Sequence, residues 1–289
     1  MSPVYCLSSH VQILYTISMI VAIVFFLGLC VGSFLNVVIN RTPKGESFLW
    51  GRSHCDHCKH QLRWYELLPL LSFFLQKGKS RCCKKSLSLE HPLVELCTGL
   101  GFVLLYYVSI HNTSGIIVGQ MSQVFSMHAA LFIIHYALCI ILFCSLLIIF
   151  VSDWKTEIIP VEPMILSVVT ALIFRILYFT NLMNLMNVIL SAFFAWLFFF
   201  CLWFFSKGKA MGDGDMYLSF MIGLLLGFPY IIIALYAAFL TGAVVGVILI
   251  LGRKKSLKAH IPFGPFLIWG LVVGFVWGDA ILAMWRILL

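Results

Sequence analysis

Tyr230-Ile231-Ile232-Ile233-Ala234-Leu235-Tyr236-Ala237-Ala238-Phe239-Leu240-Thr241-Gly242-Ala243-Val244-Val245-Gly246-Val247-Ile248-Leu249-Ile250-Leu251 carries no charged side chain. A helix needs about 20 such residues to cross the hydrocarbon core of a bilayer. A helix that is apolar all round must be surrounded by lipid or by a protein core. Working outward from this run, seven more stretches read the same way: 13–39, 92–110, 128–152, 160–179, 187–205, 215–227 and 266–285. Phe228-Pro229 breaks 215–227 from 230–251. Composition agrees: 62% of the 289 residues are hydrophobic and 10% are charged, against roughly a quarter charged in soluble chains. These figures exclude disorder and a water-soluble globule. The expectation is an all-α integral membrane protein with about eight transmembrane helices and a cysteine-containing cytoplasmic loop. The first basic residue is Arg41, so the opening stretch lacks the basic region of a cleavable signal and reads as a retained helix.

Net charge is +8, but basic residues in membrane proteins mark cytoplasmic loops. Ten fall after the first stretch, from Arg41 to Lys85; the rest are Lys155, Lys207, Lys209, Arg253, Lys254, Lys255 and Lys258, apart from Arg175 and Arg286. They alternate with loops that hold none, which sets one face as cytoplasmic and removes nucleic acid as the reading of the charge. Arg175, inside an apolar stretch, is expected to snorkel to the surface or to pair across the bundle.

Only eleven residues are acidic. Asp153 ends one apolar stretch, in Val151-Ser152-Asp153-Trp154-Lys155. Asp215 begins another, in Met211-Gly212-Asp213-Gly214-Asp215. The charge alternation puts both at the same cytoplasmic rim. Asp215 or Asp213 alone reads as a helix cap. Asp153 meets the unfavourable end of a helix dipole and has no such excuse. Two carboxylates on one face can share a proton. The charged one then activates water and the neutral one donates to a carbonyl, a proteolysis that needs no metal. Helix ends would make Asp215 the charged base and Asp153 the donor. Gly212 and Gly214 are expected to open room beside Asp215 for a substrate backbone. Asp213 is expected to be solvated.

Gly212-Asp213-Gly214-Asp215 resembles the Gly-x-Gly-Asp motif of membrane aspartyl peptidases, and the chain looks like a type IV prepilin peptidase. Gly32-Ser33-Phe34-Leu35-Asn36-Val37-Val38-Ile39, Cys55-x-x-Cys58, Leu68-Pro69-Leu70-Leu71-Ser72 and Pro92-Leu93-Val94-Glu95 follow in family order. Asp153 before Ile159-Pro160, Ala210-Met211-Gly212-x-Gly214-Asp215 and Pro262-Phe263-Gly264-Pro265 complete the set. The resemblance implies cleavage of the basic leader of prepilins and pseudopilins on the cytoplasmic side of a bacterial inner membrane, by a multi-pass enzyme in contact with membrane lipid. It implies Asp153 and Asp215 as the catalytic pair, with Gly212 and Gly214 in the active-site turn. It also implies N-methylation of the new N-terminus with S-adenosylmethionine, associated with Gly32 and the first loop. Glu95 is a candidate there, or simply a helix-start carboxylate. Met216-Tyr217 departs from the family, which often has a lysine after the second aspartate. Expected divisions are 1–91, for methyl transfer and zinc, and 92–289, for the peptidase bundle. The alternatives are a peptidase without methylation and a proton-coupled transporter.

Most cysteines lie in or beside apolar runs and act as small hydrophobes. Cys55-Asp56-His57-Cys58 is instead one half of a zinc knuckle. By the resemblance the second half falls at Ser80 and Cys83, and serine is a poor ligand. Cys82, with a shifted backbone, would complete a set of Cys55, Cys58, Cys82 and Cys83. His54, His57 and His60 are further donors. A disulfide is the weaker reading in a reducing cytoplasm.

Overall fold

A computed structural model describes residues 3–48, 50–55, 58–117, 125–177, 182–208, 211–252 and 262–288. Asp56, His57, Lys209, Ala210 and the basic run from Arg253 to Lys258 lie outside the described residues. Nine helices are described: α1 (Pro3–Arg41), α2 (Leu71–Leu75), α3 (Glu90–Ile117), α4 (Phe125–Thr156), α5 (Val161–Leu177), α6 (Leu182–Ser206), α7 (Gly214–Leu226), α8 (Tyr230–Leu251) and α9 (Gly264–Leu288). Strand pairing among the described residues is limited to two isolated bridges in the polar loop, His54 with Gln61 and Lys79 with Ser86. Each of the eight apolar stretches holds a helix among the described residues, and α2 is an added short helix in the loop.

Helix length divides them. Six helices are long and apolar enough to cross a membrane: α1, α3, α4, α6, α8 and α9. The 17 residues of α5 and the 13 of α7 extend about 26 and 20 Å at 1.5 Å per residue, short of the ~30 Å hydrocarbon layer. The chain forms two compact units, Met1–Ile140 and Ile141–Leu289, with α4 running through the boundary.

In the first unit α1 packs along α3. Small residues make the approach possible, since helices in lipid associate through close packing rather than hydrophobic expulsion. A Cβ on Gly28 would lie 2.8 Å from the Gly99 Cα, and one on Gly32 2.7 Å from the Glu95 Cα. The Tyr136 hydroxyl of α4 donates to the Phe102 carbonyl of α3 at 3.0 Å.

In the second unit α7 is the central element. Asp215, Met216, Leu218, Ser219, Met221, Ile222, Gly223 and Leu224 are all buried, beneath α5, α6 and α9. Its short length suits an internal helix wrapped by longer ones. Arg175 of α5 closes its far end: Nε donates to the Leu224 carbonyl at 2.8 Å, and Nη2 donates to that of Leu225. The cation therefore pairs across the bundle and sits at the negative end of the α7 dipole. Beyond it, the Asn187 amide clamps Phe228, donating to its carbonyl at 3.1 Å and accepting its N–H at 2.8 Å. These contacts fix α7 at one end and leave the other to be defined by what surrounds Asp215.

Candidate active site

Asp153 lies in the last turn of α4, and Asp215 is the second residue of α7. Each is only 5% exposed, and the charge on Asp153 acts directly on Asp215. The fold thus brings together two carboxylates far apart in sequence, both at helix ends rather than in helix middles. The α4 helix continues to Thr156, whose hydroxyl donates to the Ser152 carbonyl at 2.8 Å; the apolar pattern stops earlier, at 152.

Gly264 resolves the misplacement of Asp153 at a helix C-terminus. Its N–H donates to Asp153 Oδ2 at 2.9 Å, and Gly264 is the first residue of α9. Asp153 therefore faces the positive end of one helix while sitting at the negative end of its own. Asp215, near the start of α7, has the Gly212 backbone beside it as a favourable dipole. Each carboxylate thus faces a helix N-terminus, and burial is equal. Helix ends alone therefore do not rank the two.

Gly264 also cannot carry a side chain without displacing the carboxylate: a Cβ there would stand 2.6 Å from Asp153 Oδ2. It is the functional position that the sequence reading left without a role. The Pro262-Phe263-Gly264-Pro265 run was the available signal.

The two glycines beside Asp215 differ. A Cβ on Gly212 would meet only Asp215 Oδ2, at 3.8 Å, so space is open there. A Cβ on Gly214 would lie 2.8 Å from the Ile159 Cβ. The room expected beside Gly214 is filled by Ile159, and this glycine seats α7 against the chain that follows α4. Asp213 is exposed and makes no side-chain cap bond. Tyr217 is exposed and Met216 is buried in the core of the unit.

In the first unit Glu95 is 8% exposed. Its Oε2 accepts the Leu70 N–H at 2.8 Å. It does not cap its own helix; it holds the loop that enters α2. Gly32 faces it across the α1–α3 contact. Beside them lies a cavity of about 190 Å³ whose wall includes Ser33, Asn36, Arg41, Ser80 and Glu95.

The four cysteines of the loop form a cluster: the sulfurs of Cys55, Cys58, Cys82 and Cys83 all lie within 4.8 Å of one another. Tetrahedral zinc with Zn–S bonds of about 2.3 Å separates its sulfurs by about 3.8 Å. Cys55 and Cys83 stand at 3.9 Å; Cys58 and Cys82 are closer, at 2.8 Å. With no cation between them the sulfurs favour the protonated form: the neighbouring Cys82 sulfur pushes the Cys58 thiol up to about 12.

Two turns of one design carry these residues. Cys55 N–H donates to the His60 carbonyl and Lys59 N–H to that of Cys55, at 2.8 and 2.9 Å. Ser80 and Lys84 repeat the pattern with Lys85 and Ser80, again at 2.8 and 2.9 Å. Lys59 and Lys84 adopt φ of 59 and 58°. Ser80 therefore stands where Cys55 stands in the first turn, its hydroxyl 3.0 Å from the Cys82 sulfur. Cys82 reaches the cluster from an unshifted backbone, contrary to the displaced one expected from sequence.

Two family models match this chain: the bacterial peptidase A24 N-terminal domain over residues 26–109, and the type IV leader peptidase family over residues 140–247. A prepilin leader peptidase/N-methyltransferase of Stutzerimonas stutzeri is 29% identical over 280 residues, covering 89% of this chain and 90% of that protein. One from Myxococcus xanthus is 54% identical over 78 residues, covering 27% of this chain and 23% of that protein. One from Klebsiella pneumoniae is 42% identical over 90 residues, covering 29% and 40%. No solved structure matches this chain.

Proposed function

The chain belongs to the type IV leader peptidase family, and from that premise we propose that it removes the basic leader of type IV prepilins and pseudopilins and methylates the N-terminus so formed. The observation that carries the peptidase half is the buried pair of Asp153 and Asp215, each facing the start of a helix, with the Gly264 N–H donating to Asp153. We place the reaction at the cytoplasmic face of a bacterial inner membrane, with the apolar helices in lipid. The substrate's hydrophobic segment stays in the membrane while its leader reaches the pair.

One shared proton gives the pair both roles. The charged carboxylate takes a proton from water as the water oxygen bonds to the scissile carbonyl carbon. The protonated carboxylate gives its proton to the carbonyl oxygen. Collapse of the tetrahedral intermediate breaks the C–N bond, and a proton passes to the leaving amine. Gly264 keeps Asp153 from rotating away, and the open space at Gly212 admits a backbone next to Asp215. A transporter relay would want carboxylates deep in the bilayer, whereas these lie at helix ends.

For methyl transfer we assign the 1–91 region together with the start of α3. The cavity beside Gly32 and Glu95 combines a largely apolar wall with the polar groups of Ser33, Asn36, Ser80 and Glu95 and is bounded by the cysteine loop, which fits S-adenosylmethionine. When bound, that cofactor supplies an electrophilic methyl group. Gly32 brings α1 against α3 at Glu95, and Glu95 pins Leu70 and so shapes the wall. The four cysteines fit zinc as a structural ion that holds the two turns of the loop together.

Mass spectrometry of a prepilin N-terminus after incubation with the purified chain and S-adenosylmethionine tests both halves. The expected product lacks its leader and is 14 Da heavier than the cut peptide, the mass of one added methylene ~CH2. An intact leader rejects the peptidase; a cut but unmethylated product rejects methyl transfer alone.

A further inference from the structure

We infer that the cavity beside Asn36 and Glu95 binds its ligand through a protonated amine, with Asn36 Oδ1 and the Glu95 carboxylate as the acceptors. This rests on the methyl-transfer reading and names the chemistry of recognition in that site. Asn36 is only 6% exposed, and its Nδ2 donates to the His91 carbonyl at 3.0 Å. That bond fixes the orientation of the amide, because the flipped form would set two acceptors against each other. Oδ1 is then left as a buried acceptor with no hydrogen-bond partner among the described residues. Buried acceptors are rarely left unmatched, and an exception marks a place for a ligand or ion.

His91 stands one helical turn before Glu95 in α3, so the Asn36 amide is tied to the turn that leads to the carboxylate. Both side chains line the cavity. The one fully buried basic side chain of the wall is occupied elsewhere: the Arg41 guanidinium donates to the carbonyls of Ser47, Trp50 and Arg52 at 3.0, 3.3 and 3.1 Å. Lys44 and Glu46 belong to the exposed rim, and His54, Glu66 and His91 are half-buried. The fully buried part of the wall therefore offers the Asn36 acceptor and the Glu95 carboxylate, which suits a cation bearing N–H groups. Two participants in methyl transfer carry such a group: the methyl donor, through its amino-acid end, and the new N-terminus of the pilin.

The test is calorimetric titration of the full chain in lipid nanodiscs. The ligands are S-adenosylhomocysteine, methylthioadenosine (which lacks the amine), a peptide with the free N-terminus of a mature pilin, and its N-acetylated form. Asn36→Leu and Glu95→Gln are expected to lose tenfold or more in affinity for an amine-bearing ligand. The two amine-free ligands should not respond to either variant. Loss confined to S-adenosylhomocysteine assigns the amine to the donor; loss confined to the free peptide assigns it to the pilin. Unchanged binding of both amine ligands to Asn36→Leu and Glu95→Gln overturns the inference, as does a parent chain that binds neither. Equal losses across amine-bearing and amine-free ligands also overturn it, because they report a collapsed cavity. Methylation by the parent is scored separately, so a parent that methylates while its variants bind normally loses only this subsite.

Discussion

At Asp153 one amide outweighs the helix that carries the side chain. The Gly264 N–H supplies the positive partner that the end of α4 cannot. Gly264→Ala should therefore force the carboxylate aside and slow leader cleavage at least tenfold, read by the rate of prepilin processing with zinc content unchanged. Asp153→Asn and Asp215→Asn should each lower that rate by roughly 10²–10⁴, the usual worth of a general acid or base. Cleavage by the parent should rise and fall across a bell-shaped pH profile, since the active form of a shared-proton pair has one proton; a profile flat from weakly acidic to alkaline pH would contradict the shared proton. The aspartates were legible because charge is scarce in this chain and both sit where apolar runs meet polar loops. Gly264 was not legible in the same way. A glycine has no chemistry of its own, and its importance depends on where a carboxylate 111 residues away comes to rest.

Among the elements, α7 shows how far hydropathy reaches. The apolar pattern located it, and its shortness was visible, but not its place at the centre of the second unit. That place follows from Gly214 meeting Ile159 and from Arg175 closing the opposite end. Arg175→Met should lower the stability of the chain by about 1.5–3 kcal/mol, the range for hydrogen bonds to a charged donor, measured as a shift in reversible denaturation. Helix boundaries moved for a related reason. Hydropathy marks where lipid ends, whereas backbone hydrogen bonding carries α4 on to Thr156 and α1 to Arg41. In the cysteine loop the turn residues were readable as a knuckle, but Ser80 concealed that both turns share one backbone pattern. Ser80→Cys should make Cys82 dispensable. Cys82→Ser should lose zinc in the parent but keep it in the Ser80→Cys background, by elemental analysis of purified protein.

For the whole molecule, the two units separate the proposed chemistries. The cavity wall includes Cys55 and Ser80, while the aspartates belong to the other unit. Removal of zinc by a chelator is expected to weaken S-adenosylhomocysteine binding severalfold and to spare leader cleavage. Calorimetry and processing assays on one preparation compare the two effects. Which helix α3 packs against was not legible from hydropathy, because α3, like α4, α6, α8 and α9, is apolar enough to cross a membrane. What ties it to α1 is the small-residue contact of Gly28, Gly32 and Gly99, and such packing becomes apparent only once the partner helix is known.

The reach of the Asp153–Gly264 bond bears on biosynthesis. Ribosomes thread α4 into the membrane well before α9, and until α9 docks Asp153 lacks the donor that sets its carboxylate. An unfinished copy is thus a poor hydrolase amid the nascent apolar segments around it, and competence comes with the docking of the final helix.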